Sequence, residues 1–260
     1  MELLAQFFSG LDISVGDLLA IWLALAFASL IRAFTGFGFA LAAVPALSLF
    51  VAPTQAVVLT AMLTLTVTVL TVRTYWSDAP KGDLGAILLF SVPGTALGAW
   101  LLGGLSAAQF QLWIGAGVLA ASLALTLYRP ARTRPWPGVR AAVGVLSGLM
   151  NGAFAVPGPP VVIYAMATQP DPKQSRAMLI TFFMASALAA FVVFAVAGYV
   201  GTRSIGLYLL SLPVILLADK LGFALFRRYG NGLYRRIALV VLYAIGVSTV
   251  LKGLSGYGLA

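Results

Sequence analysis

The stretch Leu84-Gly-Ala-Ile-Leu-Leu-Phe-Ser-Val-Pro-Gly-Thr-Ala-Leu-Gly-Ala-Trp-Leu-Leu-Gly-Gly-Leu105 contains no charged residue. As an α-helix rising about 1.5 Å per residue, it would span roughly 33 Å. The hydrocarbon core of a bilayer is about 30 Å thick. Leu112–Leu127 and Ala177–Tyr199 are equally free of charge. Of the 260 residues, 61% are hydrophobic and 9% charged, whereas a soluble domain carries roughly 25% charged residues. Such a chain cannot cover a water-facing surface. A membrane β-barrel would alternate polar and apolar residues in segments of about ten, and no such alternation is present. The fold class expected is therefore an all-α integral membrane protein.

The net charge is +9. In a soluble protein that excess would suggest nucleic acid. Here most Lys and Arg residues sit in short loops between apolar runs, where they set topology instead. Cys and His are absent. That removes disulfides, thiolate chemistry, the commonest metal ligand and the usual proton carrier near neutral pH. Met1–Ile13 lacks a basic n-region and a small-residue cleavage site, so no cleaved signal peptide is expected. No phosphate-cradling Gly-rich loop followed by Lys is present, and no Ser/His or paired-carboxylate constellation suggests an enzyme.

The apolar segments divide into two similar halves. A shift of 119 residues carries Leu30 onto Leu149, Ala46 onto Ala165, Pro53 onto Pro172, Gln55 onto Gln174 and Gly82 onto Gly201. One residue more carries Ser91-Val-Pro93 onto Ser211-Leu-Pro213. The first repeat is expected at 1–128, with a broken or re-entrant hairpin over 17–50 and helices over 55–76, 84–105 and 107–128. A basic linker over 129–140 follows. The second repeat, 141–260, has a hairpin over 141–168 and helices over 174–199, 205–226 and 233–251. Arg129–Arg140 and Arg227–Arg236 are the densest basic loops, and the positive-inside rule puts both in the cytoplasm. Each hairpin then enters and leaves on one side, with short arms. Both termini fall outside, and the two halves have inverted topology.

Two breaks interrupt the hairpins. The first reads Arg32-Ala-Phe-Thr-Gly-Phe-Gly-Phe-Ala40, and the second Asn151-Gly-Ala-Phe-Ala-Val-Pro-Gly-Pro-Pro160. Pro157, Pro159 and Pro160 interrupt a helix, while Gly36, Gly38, Gly152 and Gly158 permit unusual backbone angles and close approach. Unwound backbone at membrane depth has to face protein or a water-filled cavity. Paired interrupted segments in two halves point to a transporter's binding site, and a following helix N-terminus favours an anion. The plainer alternative is that these glycines and prolines only let helices pack tightly. Arg32 lies inside an apolar run, where a charge is costly. Its donor fork suits carboxylates, sulfonates and sulfite-type oxyanions; the bland reading is snorkelling to the interface. Asn151 occupies the matching place in the second half, and Thr35 is a neutral donor beside Arg32. Gln55, Gln174 and Arg176 open the helices after the hairpins, as ligand groups or as ordinary helix-start residues. Asp219 and Lys220 are adjacent opposite charges inside a span. A self-neutralising structural pair is the preferred reading, with a proton site or an interfacial tether as alternatives.

Gly36-Phe-Gly-Phe-Ala-Leu-Ala-Ala-Val-Pro45 followed by Ala52-Pro-Thr-Gln-Ala56 resembles the first hallmark of the sulfite exporter TauE/SafE family. Ser147-Gly-Leu-Met-Asn-Gly-Ala-Phe-Ala-Val-Pro-Gly-Pro-Pro160 is similar to the second. Phe39 and Ala40 stand where the family has glycines, and Val156-Pro157 replaces a more glycine-rich stretch. The resemblance implies export of a small anion such as sulfite, an organosulfonate or a related carboxylate across the bacterial inner membrane. An anion channel and a non-transporting assembly factor are the other readings. The partners expected are a small anionic substrate and membrane lipid, without nucleic acid. A homodimer stays open, and no cofactor is expected.

Overall fold

The computed structural model describes residues 13–35, 38–73, 75–127, 136–169, 171–229 and 232–256. Within them the chain is helical, with no strand. The first half contains α1 (Val15–Thr35), α2 (Phe39–Leu47), α3 (Pro53–Val72), a short 3-10 turn (Trp76–Asp78), α4 (Lys81–Gly104) and α5 (Ala107–Leu127). The second contains α6 (Pro137–Phe154), α7 (Gly158–Thr168), α8 (Pro172–Val196), α9 (Thr202–Tyr229) and α10 (Gly232–Ser255). Five of these are long and apolar enough to cross a membrane: those over 15–33, 53–72, 81–104, 173–196 and 202–225. Gly36, Glu2, Asp12, Arg129, Arg132 and Arg134 lie outside the described residues.

Local chemistry explains where the helices start. Ser106 and Gln109 form a reciprocal capping box, each side chain accepting from the other's backbone N–H at 3.2 and 3.0 Å. Asp171 caps α8 by accepting from the Lys173 N–H at 2.9 Å, with Pro172 in the first turn, where a missing N–H costs nothing. Pro53 opens α3 in the same way. Pro93 and Pro213 sit inside α4 and α9, a placement membrane helices tolerate. The hairpin arms are unequal: α2 and α7 have 9 and 11 residues, while α1 and α6 have 21 and 18. The first arm runs on through Arg32 to Thr35, because Arg32 is satisfied within the helix bundle (below) and need not end it.

The outward faces are apolar. Leu89, Trp100 and Leu217 are 70%, 72% and 62% exposed, as lipid-facing residues should be. Between helices, lipid supplies little hydrophobic driving force, so close backbone approach and dispersion have to hold the bundle. The tightest crossing is α4 on α6. A Cβ at Gly148 would overlap the Ser91 carbonyl oxygen, one at Gly152 the Thr95 carbonyl, and one at Gly98 the Leu149 carbonyl. Gly115 and Gly246 serve the α5–α10 crossing, and Gly222 lets α9 approach Ala33 of α1.

The packing interlocks the halves. The arm α6 lies on α4, and its counterpart α1 lies on α9. Helix α3 packs on α8 and α5 on α10, while α4 touches α8 as α9 touches α3. Each of these pairings is carried onto another, or onto itself, by exchanging the halves.

Gly148→Ala should lower the unfolding temperature in detergent, since overpacking at a tight crossing costs about 1–3 kcal/mol. Gly85→Ala on the same α4 should not, because a Cβ there meets nothing within 4 Å. Thermal scans of the two variants side by side check this; equal stabilities would mean that the α4–α6 crossing does not hold the bundle.

Candidate functional site

Both breaks use left-handed backbone. Gly38 has φ 95° and caps the start of α2. Ala155, at φ 52°, ends α6. The Ala155 N–H donates to the Asn151 carbonyl at 2.7 Å, and the Val156 N–H donates to the Met150 carbonyl at 3.3 Å. These bonds satisfy the last carbonyls of the arm. Pro157 then turns the chain into α7, which opens at Gly158.

A cavity of about 60 Å³ lies between the breaks, bordered by Gly38 through Leu41 on one side and Ala155 through Gly158 on the other. A single water needs roughly 10–15 Å³ on this measure, so a small oxyanion fits. The N-terminal turns of α2 and α7 both face this space. Their first N–H groups have no carbonyl partner within the helix, and their dipoles are positive at this end. Pro159 and Pro160 lack an N–H, so α2 offers more donors than α7. Thr64, Thr68 and Thr71 line the cavity from one face of α3, and Phe39, Ile180, Phe183 and Phe223 form an apolar wall.

Arg32 and Arg176 supply the charge at the cavity. Arg32 is not a bare cation. Its Nη1 pairs with Asp219 Oδ1 at 2.8 Å, and its Nη2 donates to the Val67 carbonyl at 3.3 Å and to Thr71 Oγ1 at 3.4 Å. Asp219 therefore pairs across the bundle and not with its neighbour Lys220, which is exposed. The reading of Asp219 and Lys220 as a self-neutralising couple is corrected: side chains adjacent on a helix diverge by about 100°. The Arg176 guanidinium stacks over Tyr75 at 5.7 Å and over Phe223 at 6.0 Å, within the range of a cation–π attraction. Among the described residues bordering the cavity, two carry a guanidinium and none a carboxylate; Asp219, paired with Arg32, offsets one of the two charges, and Arg176 supplies the other.

The other residues singled out by sequence go elsewhere. Asn151 is buried, and its Nδ2 donates to the Ser186 carbonyl at 2.8 Å. That bond repeats the one from Arg32 to Val67, because the 119-residue shift carries 32 onto 151 and 67 onto 186. Gly152 serves the α4–α6 crossing, so the packing alternative accounts for it. Gln55 is half-buried at the start of α3 and Gln174 exposed at the start of α8; neither borders the cavity. Thr35 ends α1, and its side chain lies outside the described residues. The threonine face of α3 was missed, although the spacing of Thr64, Thr68 and Thr71 puts all three on one helical stripe. Among the described residues, no group of three or more His, Cys, Asp and Glu side chains could hold a metal.

Comparison with known proteins places this geometry in context. The sequence profile of the sulfite exporter TauE/SafE family matches residues 21–249. A protein of Cupriavidus necator described as a probable sulfite/organosulfonate exporter, TauE, is 28% identical over 170 residues. The match covers 64% of this chain and 66% of that relative, slightly under two thirds of its length. No solved structure matches.

A non-glycine residue in the left-handed region costs roughly 1–2 kcal/mol. Ala155→Gly should therefore raise the unfolding temperature by relieving about 1 kcal/mol of strain, and Gly38→Ala should lower it by a similar amount. Thermal unfolding of both variants in the same detergent tests the two signs together.

Proposed function

This chain belongs to the sulfite exporter TauE/SafE family of multi-pass inner-membrane proteins, and from that membership we propose that it is a secondary transporter exporting a small anion of the sulfonate or sulfite type. The observation carrying this reading is the cavity at which both breaks, two helix N-termini, Arg32 and Arg176 converge. Its positive pole matches an oxyanion head, and its aromatic wall accommodates a short apolar tail. The description of the Cupriavidus necator relative supports the same class of cargo. Alternating access would follow from rocking one half against the other about the site, as paired interrupted segments suggest. The exchange of helix pairings between the halves supports a duplicated architecture, and the positive-inside rule, by placing both Arg-rich loops in the cytoplasm, makes it an inverted one.

Counterflow separates the transporter from its alternatives. Proteoliposomes preloaded with unlabelled sulfoacetate should accumulate labelled sulfoacetate transiently, which a channel cannot do. An assembly factor would show no flux, and no anion would raise its thermal stability. Arg176→Gln should weaken sulfoacetate binding about tenfold to a hundredfold, as expected for loss of a contact to a charged group worth roughly 1.5–3 kcal/mol. Expression should be preserved.

The topology has its own test. The chain contains no Cys, so single-Cys variants label cleanly. Lys81→Cys should resist an impermeant thiol reagent applied from outside, while Ser106→Cys should react. The reverse pattern would invert the orientation.

A further inference from the structure

We propose, on the basis of the anion-transport reading above, that Asp219 is a proton-binding site linked to the cavity: an anion arriving there takes Arg32 from Asp219, and Asp219 takes up one proton from water. The step is balanced, because one negative charge enters, one carboxylate is neutralised, and the guanidinium keeps its charge throughout.

Positions 32 and 151 correspond under the 119-residue shift. Each donates from its side chain to a backbone carbonyl of the helix after the hairpin, at Val67 and Ser186 respectively. At 151 a neutral Asn makes this tie with no counter-ion. At this place on the arm a charged residue is therefore not needed; the ion pair that α6 does make, Arg140 with Asp83 of α4, lies in its first turns. Position 32 nonetheless carries an Arg, and an Asp from α9 answers it at 2.8 Å. The extra charge and its partner need a reason beyond packing, and the cavity that Arg32 borders supplies one.

Asp219 also stands apart from the other described carboxylates. Asp17 lies in the first turn of α1, hydrogen-bonded to Ser14. Asp78 pairs with Lys173, Asp83 with Arg140, and Asp171 caps α8. All four sit at or beside helix ends. Asp219 lies ten residues inside the C-terminal end of α9, and its side chain is 18% exposed. An unpaired negative charge there would be poorly solvated.

The charges that surround Asp219 define the competition. From α1 it faces Arg32. From α3 the Thr71 hydroxyl bonds the same guanidinium. From α8 comes Arg176, stacked on Phe223 one turn along α9. On α9 itself Lys220 is exposed, Arg227 and Arg228 lie two turns on, and Arg203 and Tyr208 lie near the opposite end. Arg32 is the one that Asp219 bonds directly. An anion drawn to the positive cavity and bonding Arg32 would leave the carboxylate without its partner, and protonation removes the resulting charge.

The sign follows from linkage. If the complex binds one more proton than the empty protein, lowering the pH tightens anion binding, and the anion tightens proton binding by the same factor. Between the two protonation midpoints of Asp219, affinity should fall about tenfold per pH unit as the pH rises.

The probe is ethanesulfonate, with sulfoacetate as a second ligand, because a sulfonate stays ionised across the range and its own titration cannot mimic the effect. Purified protein in detergent with a pH-indicating dye and minimal buffer should take up close to one proton per ethanesulfonate bound, and the dissociation constant should rise with pH over the range in which the dye records that uptake. Asp219→Asn should bind without proton uptake and with an affinity flat in pH. Binding by the wild-type protein with no proton uptake and no pH slope overturns the inference while leaving the transport reading standing. So does an Asp219→Asn protein that retains the slope. If neither sulfonate binds at any pH, both the transport reading and this inference fall. The wild-type dye measurement requires no variant, so the test survives even if Asp219→Asn does not fold.

Discussion

A peptide group in hydrocarbon has no water to bond, and this constraint governs the molecule. Continuous helices meet it by bonding within themselves. The two breaks cannot, so each has to be enclosed by protein or open onto a wet cavity. The chain brings Gly38 and the segment after Phe154 to one space. The carbonyls at the end of α6 are closed by the Ala155 and Val156 N–H groups, and the N–H ends of α2 and α7 face the cavity. A positive pocket is the consequence of ending helices there.

The second constraint is cohesion without a hydrophobic effect between helices. Glycine meets it by letting backbones touch. Gly148 and Gly152 bring α6 onto the Ser91 and Thr95 carbonyls of α4, while on the matching α1 arm Ser29 and Ala33 face Gly222 of α9. The second arm is thus fastened by backbone contact along its length. The first is fastened partly by side chains, through Arg32 to Asp219 and Val67. The two halves share a plan, but the charged tie of α1 lies near the end of its arm, at Arg32, and that of α6 near the start of its own, at Arg140.

An Arg inside a membrane helix is expensive, and a buried ion pair is weak grounds for stability because desolvation offsets much of the attraction. The pair between α1 and α9 joins the arm of one half to a long helix of the other. A contact between halves is well placed to differ between conformations, whereas the neutral bond from Asn151 to Ser186 is enclosed and stays within its own half.

Hydropathy alone determined that the chain is helical and lies in a membrane, because runs such as Leu84–Leu105 leave no other way to satisfy their backbone. Proline and glycine showed where helices break, and the order of recurring motifs was the ground for dividing the chain into two halves. Those signals are local, and each follows from a neighbour or from a period of 3.6 residues. Arg32, Gly38, Pro157, Gly158 and Arg176 were visible for that reason, and all five border the cavity. Asn151 and Gly152 looked the same in sequence and turned out to face Ser186 and Thr95. What only the tertiary structure decided was partnership. Asp219 lies 187 residues from Arg32, and no periodicity links positions so far apart. The ion pair exists because α9 crosses α1 at Gly222, where the lack of a side chain lets the two backbones approach.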